Sequence, residues 1–140
     1  MLAGLALVAL LPHSKNATKS QNLITKVIIN DEAINVEIAN TSQKQRSGLC
    51  CRDWLDPNSG MLFIYESPAV HRFWMKDTRI PLDMYWIDAN SKIFFIEENV
   101  QPESYPKTFG PIEPSQFVLE TNAGYAKNNG IKVGQAVDFE

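Results

Sequence analysis

The side chains that could do chemistry fall into a few groups. Cys50 and Cys51 are adjacent, and His71 is the nearest imidazole after them. A thiolate with His71 as its base would form a nucleophile–base pair if folding joined them. Arg46 and Arg52 flank the thiols and could lower their pKa. The plainer reading is one thiol packed inward and its neighbour facing out; a strained vicinal disulfide is a further option. The carboxylates offer many pairs. Glu97 and Glu98 sit side by side and would face opposite ways on a strand. A glycosidase needs two carboxylates at a set separation, and sequence spacing does not supply it.

The most unusual stretch runs from Arg72 to Asp83. On a strand, Arg72, Trp74 and Lys76 share one face, with Phe73 and Met75 on the other. Phe73 and Met75 read as core. Trp74 between two cations could stack on a flat ligand while Lys76 holds an anionic group. The plainer reading is an amphipathic strand whose long cationic stems cover a buried Trp.

Several chemistries lack their residues. His13 and His71 are the two histidines, and one domain imidazole excludes zinc sites built on two or three. There is no Cys-x-x-Cys, no G-x-S-x-G elbow and no phosphate-cradling G-x-x-x-x-G-K. No metal and no cofactor is expected. Lys plus Arg number 13 against 16 Asp plus Glu, a formal net charge of −3. That balance argues against nucleic acid, which needs a concentrated basic surface.

These residues must be positioned by short strands. With 140 residues the chain is one domain on length alone. Lys26–Ile29 and Ile34–Ile38 flank the turn residues Asn30 to Ala33 and read as a hairpin. Thr41 to Ser47 reads as a short helix, with Ser42 and Gln45 as a capping box and Gly48 as its stop. Met61 to Tyr65 is a continuous apolar strand, and His71 to Met75 another. Leu82 to Val100 alternates around the turn Asp88–Ser91, a strong hairpin signal. Gln101 to Pro114 carries four prolines and reads as a surface loop. Phe117 to Glu120 is a strand, Thr121 caps a second short helix ending at Gly130, and Val137 to Phe139 closes the chain as a strand. Six or more short strands, two short helices and no regular βα alternation predict a mainly β, antiparallel sandwich or barrel.

Leu2 to Leu11 is an unbroken apolar run. It is shorter than the ~20 residues needed to span a bilayer and has the length of a signal-peptide core. Pro12 to Asn22 is polar and reads as a flexible tether. Residues 1–22 are therefore expected to be a leader plus tether, cleaved or retained as a weak membrane anchor. Residues 23–140 are expected to be a single exported, periplasmic or extracytoplasmic domain.

The sequence FWMKDTRIPLDMYWID, Phe73 to Asp88, resembles the signature FWMKNTxIPLDIIFID of the bacterial and archaeal family called domain of unknown function 192. Val36 to Ala39, Arg46 to Leu49 with Arg52, and Gly60 to Phe63 resemble its upstream elements. Val118 to Glu120, Asn122 to Gly124 and Gly130 to Gly134 resemble its ending. The resemblance spans about residues 25–140. It implies a small, mostly β domain, often behind an export signal, with no established activity. This chain departs from the pattern at Cys50 for Met, Asp77 for Asn and Gln135 for Asp. Gln101 to Tyr105 lacks the Cys pair of many exported relatives.

The expected function is an exported, non-enzymatic binding domain for a small molecule, an envelope component or a partner protein. Its contact set is Arg46, Trp74, Lys76, Asp77, Thr78, Asp83 and Glu120. Arg46 and Lys76 supply donors, Trp74 a stacking face, and Asp83 or Glu120 orients the cations. The alternative is an enzyme using Cys50, Cys51 or a carboxylate pair. Asp83 carries a sharper expectation. If a strand starts at Leu82, then Leu82, Met84 and Trp86 face the core, and Asp83 lies beside Tyr85 and Ile87 on a face that is covered too. A carboxylate there needs a partner. The nearest by sequence are Arg79, Lys76 and the amides of the Thr78–Arg79 turn.

Overall fold

The structure is a computed structural model and describes residues 24–140. The apolar run and tether expected before them lie outside the described residues.

The chain opens with β1 (Lys26–Ile29) and β2 (Glu32–Ala39). Asn30 and Asp31 between them have φ of 51° and 64°, a left-handed conformation that these residue types tolerate. The turn is tighter than the sequence suggested. Glu32 and Ala33 already pair with Ile29 and Ile28. Helix α1 (Ser42–Ser47) carries the chain across to β3 (Ser59–Ala69), which pairs parallel to β2. A parallel partner cannot be reached by a tight turn, so a crossover is required. Thr41, not Ser42, caps α1, its side chain accepting from the Lys44 N–H at 3.3 Å. Gln45 is thereby freed to donate to the carbonyls of Ala39 and Ile64. Gly48 ends the helix, as expected, with φ of 51°.

The remaining elements are β4 (Phe73–Trp74), β5 (Leu82–Ile87), β6 (Ile93–Val100), β7 (Thr108–Phe109), β8 (Ser115–Asn122), α2 (Tyr125–Asn128) and β9 (Asp138–Phe139). Seven strands form one curled sheet in the order β6-β5-β8-β3-β2-β1-β9, and β4 with β7 forms a small ribbon. The protein is mostly β, as the sequence predicts. Gly134 N–H donates to the Ile93 carbonyl and Val137 N–H to that of Ser91. These bonds tie the start of β6 to the segment entering β9, joining the two margins of the sheet at one end.

β4 is shorter than the strand expected over His71 to Met75. Its partner β7 comes from the proline-rich stretch, which is therefore only partly loop. Gly110 makes that approach feasible: its φ is 119° and a Cβ there would lie 2.7 Å from the Trp86 ring. Arg72 fastens the ribbon by donating to the carbonyls of Thr108 and Gly110. The second helix also differs from expectation. It starts after Gly124, and Thr121 stays in β8 with its hydroxyl 3.0 Å from that of Tyr85.

All six residues of β5 are buried, because both of its faces are covered. Leu82, Met84 and Trp86 pack with Met61, Phe63 and Val118 on one face. Tyr85 and Ile87 pack with Leu62, Leu119 and Tyr125 on the other. The strand's period of two thus sorts its residues between two cores.

Candidate functional site

A cleft of about 580 Å³ opens between α1, the β4 ribbon and the first of these sheet faces. Alternation along β3 places Met61, Phe63 and Tyr65 on that face. Across the strands, Glu120 of β8 sits directly opposite both Met61 and Met84, wedged between apolar neighbours. Glu120 is 4% exposed. Among the described residues, nothing hydrogen-bonds to its carboxyl and no cation lies within ion-pair distance. Desolvation pushes its pKa from 4.5 up to about 8, with Arg52 pulling weakly the other way. The carboxyl is therefore predominantly neutral at pH 7. Arg52 is itself engaged by Glu37 through two hydrogen bonds of 2.7 and 2.8 Å, which hold Glu37 below the usual carboxylate range.

Gly48 lies behind Glu120. A Cβ built on it would lie 3.4 Å from the Phe63 ring and 3.8 Å from Glu120 Oε2. The helix-ending glycine so brings backbone against the buried carboxyl. Beside Glu120 stands Tyr65, whose hydroxyl is pushed above its usual range by burial and by the Glu120 charge. His71 stacks on Tyr65 with ring centroids 3.4 Å apart. Its buried Nε2 has no hydrogen-bond partner among the described residues, and desolvation lowers its pKa, favouring neutral imidazole. The base of the cleft is thus a carboxyl, a phenol and an imidazole, all favoured in their neutral forms.

The mouth comes from the segment singled out in the sequence. Met75 is 1% exposed and Trp74 is 47% exposed, so the face assignment holds and Trp74 is not a covered core residue. Lys76 Nζ lies 5.8 Å from the centre of the Trp74 ring, and Tyr105 meets that ring edge-on at 5.4 Å. A turn then reverses the chain, with Thr78 N–H donating to the Met75 carbonyl at 3.1 Å. Asp77 has φ of 54°. Asp and Asn both tolerate that region, which accounts for Asp standing where the resembled signature has Asn. Its carbonyl accepts from Cys51 N–H at 2.8 Å, pinning the turn to the loop after α1.

Six of the seven expected contact residues line this cleft: Arg46, Trp74, Lys76, Asp77, Thr78 and Glu120. Asp83 does not. It projects from the other face of β5, fully buried as expected. Its partners are not the Thr78–Arg79 turn. Oδ1 accepts from Asn99 N–H at 2.8 Å and Oδ2 from Ala126 N–H at 3.0 Å. The pairing of β5 with β6 slips between Leu82/Val100 and Met84/Glu97, and this bulge frees the Asn99 amide from the ladder. Ala126 lies in the first turn of α2, whose amides lack helical acceptors. Asp83 is a scaffold residue, but of the second core. Arg79 instead pairs with exposed Asp53 at 3.0 Å.

The sequence left Tyr65 out of the contact set and offered His71 as a base for a Cys50 or Cys51 thiolate. The period-two alternation from Met61 placed Tyr65 on the Phe63 face and was the available signal. Cys50 and Cys51 are free thiols, the first half-buried and the second exposed. Contact with Cys51, burial and the Asp77 charge push Cys50 up from 9.0, opposite to what a thiolate nucleophile needs. Among the described residues no three His, Cys, Asp or Glu side chains converge as a metal site.

The fold has relatives. A protein of unknown function from Novosphingobium aromaticivorans DSM 12444 superposes with a TM-score of 0.78 at 32% identity, covering 82% of this chain and 84% of that one. A Sinorhizobium meliloti 1021 protein, described as a candidate transcription regulator, superposes with a TM-score of 0.76 at 32% identity, covering 81% of this chain and 90% of that one. No curated protein matches the chain. The model of the uncharacterised family DUF192, "Uncharacterized ACR", matches residues 25–139. The chain belongs to the DUF192 family.

Proposed function

We propose that this chain is an exported, non-enzymatic binding domain that captures a small molecule in the cleft above Glu120. The observation that carries the reading is the Glu120 carboxyl: almost fully buried, without a hydrogen-bond or ion-pair partner among the described residues, and lining an open cleft. Withdrawing such a group from bulk water without a protein partner costs up to about 1–3 kcal/mol. A fold tolerates that cost where a bound molecule supplies the missing partner. His71, whose buried Nε2 has no partner among the described residues, lines the same cleft. Aromatic walls with a few converging polar groups are the usual make-up of a small-molecule site. The apolar run Leu2 to Leu11 supports export, and the net charge of −3 makes nucleic acid an unsuitable partner.

The test is a thermal-shift panel of sugars, sugar acids, amino acids, amines and nucleosides on the full chain. A ligand at a hundred times its dissociation constant stabilises by about 2.7 kcal/mol. A specific rise that disappears in Trp74→Ala supports the reading, and a panel without any rise overturns it. Export is tested by fusing residues 1–22 to a reporter enzyme that is active only outside the cytoplasm; an inactive fusion removes that part.

A second reading, an acid–base enzyme, is favoured by the same carboxyl. A pKa of about 8 keeps Glu120 protonated at neutral pH, as a general acid requires. Asp77 lines the same cleft and would be the other half of a carboxylate pair. Product formation from any ligand of the panel, abolished in Glu120→Gln with binding retained, would select this reading.

A further inference from the structure

We propose that the molecule taken by this cleft is a small hydroxylated carboxylate of the sugar-acid class. Its carboxylate is held by Arg46 and Lys76, its ring lies on Trp74, and a hydroxyl accepts a hydrogen bond from the Glu120 carboxyl. This rests on the reading of the cleft as a binding site and specifies its ligand.

Charge decides between ligand classes. Arg46, Arg72 and Lys76 line the cleft against one anion, Asp77, when Glu120 is neutral. Arg72 is committed to carbonyls of the ribbon. Arg46 and Lys76 have no carboxylate within ion-pair distance among the described residues. The entrance therefore attracts anions and repels amines. An amine would also require Glu120 to ionise among Met61, Met84 and Phe63. A neutral polyol would leave both cations unused.

The base calls for hydroxyl groups. A protonated carboxyl both donates and accepts, and so does a phenol; a neutral imidazole does each at a different nitrogen. Glu120 and Tyr65 thus match groups that both donate and accept, as sugar hydroxyls do. The exposed Trp74 face suits the C–H face of a ring. A cleft of about 580 Å³ has room for a single sugar acid, within the ~300–1,000 Å³ of small-molecule sites.

The geometry has a pH consequence. Ionised Glu120 would lose its proton donor and place a negative charge against an anionic ligand. Facing it are Arg52 and Cys50 from the loop after α1, Tyr65 from β3 and His71 from the segment before β4, with Arg46, Arg72, Lys76 and Asp77 toward the mouth. Burial holds Tyr65 above its usual range and His71 below 6.5, while contact with Cys51 holds Cys50 above 9.0. Among the groups beside Glu120, its own ionisation near pH 8 is the transition that falls between pH 7 and pH 9.

The test titrates the full chain with glucuronate, glucose and glucosamine at pH 7 and pH 9, following tryptophan fluorescence and the Gly48 and Trp74 amide resonances. Glucuronate is expected to bind at least tenfold more tightly than glucose, and glucosamine, a cation at pH 7, not to bind at that pH. Its affinity should fall about tenfold from pH 7 to pH 9, the ratio of protonated fractions for a group titrating at 8. Glu120→Gln keeps a donor and should bind equally at both pH values. The double substitution Arg46→Ala, Lys76→Ala should erase the preference for glucuronate over glucose while its circular dichroism stays native. Glucose or glucosamine binding as tightly as glucuronate would overturn the anionic class and leave the binding cleft standing. Glucuronate binding that ignores pH in the parent chain would overturn the Glu120 contact. If all three sugars fail to shift any resonance the proposal falls, and a thermal-shift panel equally silent takes the binding reading with it.

Discussion

Two carboxylates are buried in one sheet, on opposite faces and on adjacent strands, and they differ in company. Asp83 of β5 stands opposite Thr121, and Glu120 of β8 stands opposite Met84. Asp83 is enclosed by two backbone amides at 2.8 and 3.0 Å. Glu120 meets methionines, aromatic rings and an open cleft. Burial alone therefore does not say what a carboxylate is for. A satisfied one holds the fold together; an unsatisfied one at the bottom of a cleft is held ready for something else.

The largest expected effect tests the satisfied partner. Asp83→Ala strips the acceptors from the Asn99 and Ala126 amides, leaving one part-buried and one buried donor at up to about 1–3 kcal/mol each. A loss of roughly 2–6 kcal/mol in urea unfolding is expected, and Asp83→Asn, which keeps one acceptor, should cost about 1–3 kcal/mol. A loss below about 0.5 kcal/mol, the range of an unremarkable surface change, would break the contrast.

The next effect belongs to Glu120 and depends on pH. Its folded pKa is raised above 4.5 to about 8, so the folded state holds a proton that the unfolded chain releases. That stabilisation is complete below about pH 4.5 and is lost as pH rises through 8. His71, lowered from 6.5, works in the opposite sense below its ordinary pKa. Between pH 6.5 and 8, stability should therefore fall by about 1.4 kcal/mol per pH unit. Glu120→Gln should flatten that slope. A parent profile without the slope would mean that Glu120 has a partner after all.

Trp74→Ala comes third. At 47% exposed, the ring contributes little to folding, and the substitution should change stability by less than about 1 kcal/mol while weakening ligand capture. An unfolded variant would return Trp74 to the core. The smallest effect is at Arg52→Lys, which breaks the two-pronged grip on partly exposed Glu37. About 0.5 kcal/mol is expected, shrinking with added salt. Because Arg52 pulls weakly on Glu120 as well, it also measures how far the two carboxylates on this face communicate.

How much was legible follows the range of the interactions. The Leu82 to Val100 hairpin, the Gly48 stop and the burial of Met75 rest on period-two alternation and turn chemistry, which act over a few residues, whereas the alternation left open whether Trp74 is covered. The small ribbon was not legible, because β4 pairs with β7 across a proline-rich stretch that reads as loop. Nor was the cap of α2: a Thr just before a helix-like run is a reasonable local choice, but the amide of Ala126 is met by Asp83 from another strand.

By itself, the sequence determined the family motif, the mainly β class, the faces of the strands and six of the residues that line the cleft. It also established that Asp83 must be covered, since both faces of its strand are apolar. Tertiary structure alone decided who its partners are. Those depend on a slip in register between β5 and β6 and on where α2 starts, and no local pattern encodes either. The same holds for Glu120. From the sequence Glu120 reads as a contact residue that orients cations, and only the pairing of β8 between β3 and β5 sets it between Met61 and Met84. Its burial, its lack of a partner and its retained proton come from neighbours distant in the chain, because desolvation depends on what surrounds a group in space.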